Sequence, residues 1–398
     1  MSNNPQKQLN MTRQGNTKSL EYFIEIGVYI ALVCNFLILY GNSQGVSLFV
    51  SWPTRLMVSY IFLLAVVLSV NNLLSSRVGK IDAIFLLFAL FMVASAYVSS
   101  GLFGMLGGLV SHMCFVMLPA CLLLYRRVTN VSRIRKSVYI ANFCYALLFV
   151  YLSRQSNSHY AFGEYGIEIV DELTLGYRNP NETGIYVMLS YLIMLTGFCD
   201  AKGRKKKIIY LAMLGILGYM LLQINSRTCV AITVVATVLV LLHRWVKLRS
   251  LLRWAILLLP AITALLLTLD PGMVEDMTFM GEAFDTGRYG LYQRFFQNQS
   301  LQTALFGTGV SANLHNSYMS VAYIYGFPLL ILYIGLLNAS LKEMQKRVDN
   351  TGRYAAFVGA LAVVAHGIAE GTLLTAGAVY AGLAGLLFVL ALPEEENK

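Results

Sequence analysis

His315 and a scattered set of arginines are the residues whose types could carry chemistry in this largely apolar chain. Arg55, Arg154, Arg178, Arg227, Arg288 and Arg294 stand apart from the lysine-rich stretches. A guanidinium binds phosphate through two parallel hydrogen bonds, so arginines without lysines suggest an anionic ligand. The plainer alternative is that lysines are simply thinned on that side of a membrane. In the stretch FDTGRYGLYQRFF, Arg288, Tyr292 and Phe295 recur at helical spacing and share one face, with Arg294 beside them. Such a face either holds a lipid phosphate among aromatic rings or is an ordinary amphipathic surface helix. Gly307-Thr308-Gly309 marks a turn, after which His315 and Asn316 stand at the outer entrance of an apolar block beginning near Ser317. An imidazole there is suited to take a proton from a hydroxyl, with Asn316 orienting the ring or binding a sugar hydroxyl. A lone histidine is otherwise an interfacial residue with its hydrogen bonds satisfied.

The elements that must position these residues are membrane helices. The chain has 398 residues, 57% hydrophobic and 13% charged. A soluble domain carries roughly 25% charge. Apolar blocks of spanning length fall near 22–40, 55–74, 81–99, 105–125, 137–153, 182–199, 208–224, 228–243, 254–270, 317–339, 354–369 and 376–392. The expected fold is an all-α, polytopic bundle of about 12 transmembrane helices, with a large outer loop before the tenth span. It forms a single membrane domain over 1–398, with residues 1–21 as a cytoplasmic tail and 154–181 and 271–316 as outer loops. With both termini inside, 24 of the 30 lysines and arginines fall on the cytoplasmic side, all twelve lysines among them. Short gaps at 99–104, 225–227 and 370–375 predict tight hairpins. The net charge of +10 is spread over loops rather than one domain, which argues against nucleic acid. The six cysteines lie in or beside apolar blocks without CxxC pairs and read as buried thiols. Neither GxxxxGK[ST] nor GxGxxG occurs, which argues against ATP-driven transport and dinucleotide chemistry.

Four motifs in order resemble the O-antigen ligase and polymerase superfamily of bacterial membrane proteins. They are Tyr177-Arg178-Asn179-Pro180-Asn181-Glu182, the turn Asn225-Ser226-Arg227-Thr228, the GR-aromatic-helix stretch ending in Gly307-Thr308-Gly309, and His315-Asn316-Ser317-Tyr318 followed by Tyr325-Gly326-Phe327-Pro328-Leu329. The resemblance covers roughly residues 170–340 by motif and the remainder by span count. It implies a lateral, lipid-accessible cavity and metal-independent glycan transfer from a polyprenyl-pyrophosphate-linked oligosaccharide, with no cofactor. Arg227 and Arg288 would then stabilise the pyrophosphate leaving group, and His315 would orient or deprotonate the acceptor hydroxyl, inverting the anomeric centre. Arg178, Asn181, Asn316, Tyr292, Arg294 and Glu370 would line the substrate. Glu182 reads more simply as the acid of a helix first turn.

The first expectation is a Wzy-type polymerase joining repeat units of a surface polysaccharide on the outer face of the bacterial cytoplasmic membrane. Its partners would be membrane lipids, a flippase and a chain-length regulator. A WaaL-type ligase moving finished glycan to lipid A core shares the same residues. A flippase or transporter for lipid-linked sugar is the rival from another class; it would show two related halves and broken helices. Among lesser candidates, His366 and Glu370 share a helix face as either a proton relay or an interhelical hydrogen bond, the second favoured. His112 reads as a packing residue, and Pro260 and Pro328 as kinks within spans.

Overall fold

Backbone crossing hydrocarbon must satisfy its hydrogen bonds internally, and an apolar block does so as an α-helix. The computed structural model describes residues 5–75, 79–154, 159–163, 166–170, 180–224, 226–242, 252–258, 278–279, 282–283, 295–297, 299–309, 314–369 and 378–392. Its helices are α1 (Pro5–Ser43), α2 (Ser47–Leu74), α3 (Lys80–Gly107), α4 (Leu109–Tyr125), α5 (Val131–Ser153), α6 (Pro180–Asp200), α7 (Arg204–Ile224), α8 (Arg227–Leu241), α9 (Leu301–Phe306), α10 (Ser317–Tyr325), α11 (Phe327–Thr351), α12 (Tyr354–Ala369) and α13 (Ala378–Leu390). Among the described residues, α1, α2, α3, α5, α6, α7 and α11 hold seven stretches long and apolar enough to cross a membrane; α4, α8 and α12 are shorter apolar helices. Large side chains such as Leu63, Leu90, Ile140 and Ile331 are exposed on the bundle's outside, where lipid would meet them. The chain is thus a helical, multi-pass membrane protein.

Several boundaries differ from the sequence expectation. The tail is helical from Pro5, because extending an existing helix costs far less than nucleating one. The gap expected at 99–104 is instead helical, with α3 kinked at Gly101 (φ 68°) and the chain turning at Gly107–Gly108. The loop 154–181 carries an antiparallel hairpin of β1 (His159–Gly163) and β2 (Gly166–Val170), with Tyr160 opposite Ile169. A second, two-residue pairing joins β3 (Thr278–Phe279) to β4 (Glu282–Ala283). Most of the expected span 254–270, the gap 370–375 and Pro260 lie outside the described residues.

The largest difference is in the expected span 317–339. It is two helices, α10 and α11, broken at Gly326 (φ 89°), with Pro328 in the first turn of α11. The rings of Tyr318 and Tyr333 lie 6.4 Å apart. In one straight helix their Cα atoms would be about 22 Å apart, beyond the reach of two tyrosines. The chain therefore folds back at Gly326. The break leaves the last carbonyls of α10 without helical partners. Residues remote in sequence supply them. Thr308 N–H donates to Tyr323 O (2.8 Å), and Gly309 N–H to Ile324 O (3.1 Å). Ser95 Oγ on α3 donates to Tyr325 O (3.2 Å) and to Phe306 O. A Cβ on Gly326 would overlap the Leu305 carbonyl, and one on Gly307 the Ile324 carbonyl. We expect Gly326→Ala to cost about 1–3 kcal/mol in backbone strain and a similar amount in steric displacement. A purified variant melting within a degree of the wild type would refute that expectation.

At one end of the bundle the helices are tied by charge. Asp82, buried in the first turn of α3, accepts from Arg126 (2.9 Å), Arg127 (3.2 Å), Asn72 Nδ2 (3.0 Å) and Gly79 N–H (3.2 Å). Arg126 also reaches Glu343 of α11 (3.4 Å), which Arg347 pairs in turn. Burial lowers the pKa of Arg127 and Asp82 opposes that shift, so the guanidinium stays charged. Nearby, Asp200 at the end of α6 accepts from Tyr139 (3.1 Å) and pairs with Arg353 (3.5 Å), while Arg135 donates to Leu392 O (2.6 Å). Arg347 stacks over Phe388, joining the two groups. The ends of α3, α4, α5, α6, α11 and α13 that carry these charges thus meet at one end of the bundle. Removing the buried carboxylate would strand two arginines. Asp82→Ala should destabilise the fold by about 3 kcal/mol, read as a loss of folded protein in detergent melts.

Candidate functional site

The opposite end of the bundle gathers helix N-termini. Asn181 in the first turn of α6 and Ser226 immediately before α8 are linked, Ser226 Oγ donating to Asn181 Oδ1 at 2.8 Å. Two of the motifs singled out in sequence are therefore in contact. The approach is close because residue 184 is glycine. A Cβ there would lie 2.8 Å from Ser226 Cβ and 3.0 Å from Cys229 Sγ. Glu182 lies in the first turn of α6, as its sequence position suggested. Arg227 is the first residue of α8, so its charge adds to the positive end of that helix dipole. Ser226→Ala removes this side-chain link between the two motifs and should cost about 1 kcal/mol, seen as a lower melting temperature with the fold retained.

The third N-terminus is that of α10. Asn316 caps it, its buried Oδ1 accepting from the N–H groups of Tyr318 (3.0 Å) and Met319 (3.1 Å). That oxygen is occupied in the cap, so Asn316 first serves to hold the start of the helix. His315 precedes it with φ 50°, the only described non-glycine residue at positive φ. The cap turns the chain sharply there, and the imidazole is half-buried. His315 does not stand at the outer mouth of a straight span. Because α10 folds back, its start docks one to two turns in from the far ends of α11 and α12. Tyr318 Oη donates to Val364 O (2.9 Å), and its ring meets Tyr333.

α12 connects the three starts. Val364 receives α10 through Tyr318. Two residues on, His366 Nε2 lies 3.4 Å from Cys229 Sγ on α8, two residues after Arg227. Cys229 and His366 are both fully buried. This interhelical contact is the kind favoured for His366, though its helix neighbour Glu370 lies outside the described residues. His112 packs as expected, and also holds the far end of α10, with Nδ1 2.7 Å from Tyr325 Oη. Phe295 is buried against Leu314, Met319 and Ala322 of the same region. Its ring meets those of Tyr323 and Phe327, both at 6.0 Å. Phe295 follows directly on the stretch bearing Arg288, Tyr292 and Arg294 in sequence. Those three residues and Arg178 themselves lie outside the described residues.

Ser95 is not singled out in the sequence, and Cys229 reads there only as one of six buried thiols. Neither belongs to a motif, and only the fold-back and the α8–α12 contact give them partners. No protein-family model matches the chain, and no curated protein is detectably similar to it.

Proposed function

We propose that this protein is a metal-independent, inverting glycosyltransferase. It would polymerise repeat units of a bacterial surface polysaccharide from a polyprenyl-pyrophosphate-linked donor at the outer face of the cytoplasmic membrane. In this reading, about twelve spans with both termini inside would put the Asp82 end in the cytoplasm and the Asn181–Ser226 end outside. One observation carries the reading. The N-termini of α6 and α8 are joined by the Ser226–Asn181 hydrogen bond with Arg227 beside it, and α12 brings the capped start of α10 to the same end. Helix N-termini and a guanidinium favour bound phosphate. Arg227, with Arg288, would hold the pyrophosphate as the sugar–phosphate bond breaks and negative charge passes to the leaving group. His315, next to the α10 cap, would take the proton of the attacking hydroxyl. The motif resemblance adds to this support.

The deciding experiment is the glycan profile of a deletion strain, with mass analysis of its lipid-linked intermediates. Single repeat units, on lipid or on the final acceptor, are the expected result. Long chains accumulating on the polyprenyl carrier would make the protein the ligase instead. Lipid-linked units trapped on the inner leaflet would replace transfer by transport.

A further inference from the structure

Two basic stretches far apart in sequence form one surface at the Asp82 end of the bundle. Tyr139 of α5 meets Tyr210 of α7 edge-on, ring centroids 5.9 Å apart, and donates its hydroxyl to Asp200 at the end of α6. Arg133 and Lys136 precede Tyr139 on α5, and Lys202, Arg204, Lys205, Lys206 and Lys207 precede Tyr210 on α7 and its entry turn, so the Tyr139–Tyr210 contact sets both stretches at the same end of packed helices. All seven are exposed. Asp200 is the acid within these two stretches, and it is already engaged by Tyr139 and Arg353. Lys207 lies over the Phe198 ring, 5.9 Å from its centroid, which holds its stem against the helix. Directly along the same helices, large apolar side chains point outward: Ile140 (65% exposed) and Leu147 on α5, and Ile208, Ile209 and Leu211 (59%) on α7. The surface is thus a cationic rim on a lipid-facing apolar strip.

We propose that this surface is a binding site for an anionic diacyl phospholipid, its phosphate at the rim and its acyl chains along the strip. The charge is complementary to an anionic headgroup, and each basic residue near a membrane surface contributes favourably. The apolar strip suits an acyl chain and offers nothing to a soluble anion. A zwitterionic lipid would match the strip but not the rim. The site lies at the end opposite the proposed transfer chemistry and does not depend on it.

The test uses the full-length protein in detergent, with lipid retention followed by native mass spectrometry. Phosphatidylglycerol, phosphatidylcholine and inorganic phosphate are the probes. Wild type should retain phosphatidylglycerol over phosphatidylcholine. The triple variant Arg133→Gln, Lys205→Gln, Lys206→Gln should weaken that retention roughly a hundredfold, at about fivefold per charge. The triple variant with Arg133→Lys, Lys205→Arg and Lys206→Arg should keep it. A control, Lys342→Gln with Lys346→Gln, neutralises exposed lysines elsewhere on α11 and should leave retention unchanged. Equal retention of the two lipids, equal loss in the control, or inorganic phosphate displacing the lipid at matched concentration would each overturn the site.

Discussion

Replacing His315 by alanine should lower glycan chain elongation by roughly 10²–10⁴-fold, the range for losing one positioned proton-transfer group. Membranes containing the variant, supplied with lipid-linked oligosaccharide, give the rate; an immunoblot gives the amount of protein. His315 has φ 50°, so alanine also brings backbone strain. His315→Asn separates the two effects, since asparagine tolerates left-handed backbone but cannot serve as the base. Both variants should accumulate in the membrane, and both should fail to build long chains. Wild-type chain length in His315→Asn would remove the histidine from the reaction.

Arg227→Ala should reduce turnover by about 10²–10³-fold, comparable to removing one donor from a preorganised anion site. Arg227 begins α8, directly after the Ser226 that bonds Asn181. Its effect should fall on kcat more than on KM, because leaving-group charge grows only as the glycosyl bond breaks. Arg227→Lys keeps the charge but loses the planar fork, and should recover only part of the rate. Full activity in Arg227→Ala with normal protein levels would exclude this residue from pyrophosphate stabilisation.

The candidate site was legible in sequence to the extent that it is built of motifs. Asn181 and Arg227 were singled out separately, and the fold joins their segments through Ser226. The link could not be read beforehand, because a glycine at 184 signals close approach without naming the partner. Asn316 was visible as a residue beside a histidine. Its role as a cap depends on where α10 starts, and hydropathy places that start only within a few residues.

By itself the sequence determined that this chain is a bundle of membrane helices. Hydrocarbon thickness sets the block length, and apolar blocks of about twenty residues satisfy their backbone in lipid as helices. Its charge pattern also grouped the helix ends carrying Arg126, Arg127, Glu343 and Arg347, whose side chains meet at the Asp82 end. The tertiary structure decided what happens inside the run 317–339. Apolar content is the same whether a helix continues or folds back, so hydropathy cannot see the reversal. The break at Gly326 is stable because Ser95, 211 and 230 residues away from Phe306 and Tyr325, supplies a donor to both carbonyls. Those are long-range contacts, and they move His315 from the mouth of a straight span to the start of a capped helix packed against α11 and α12.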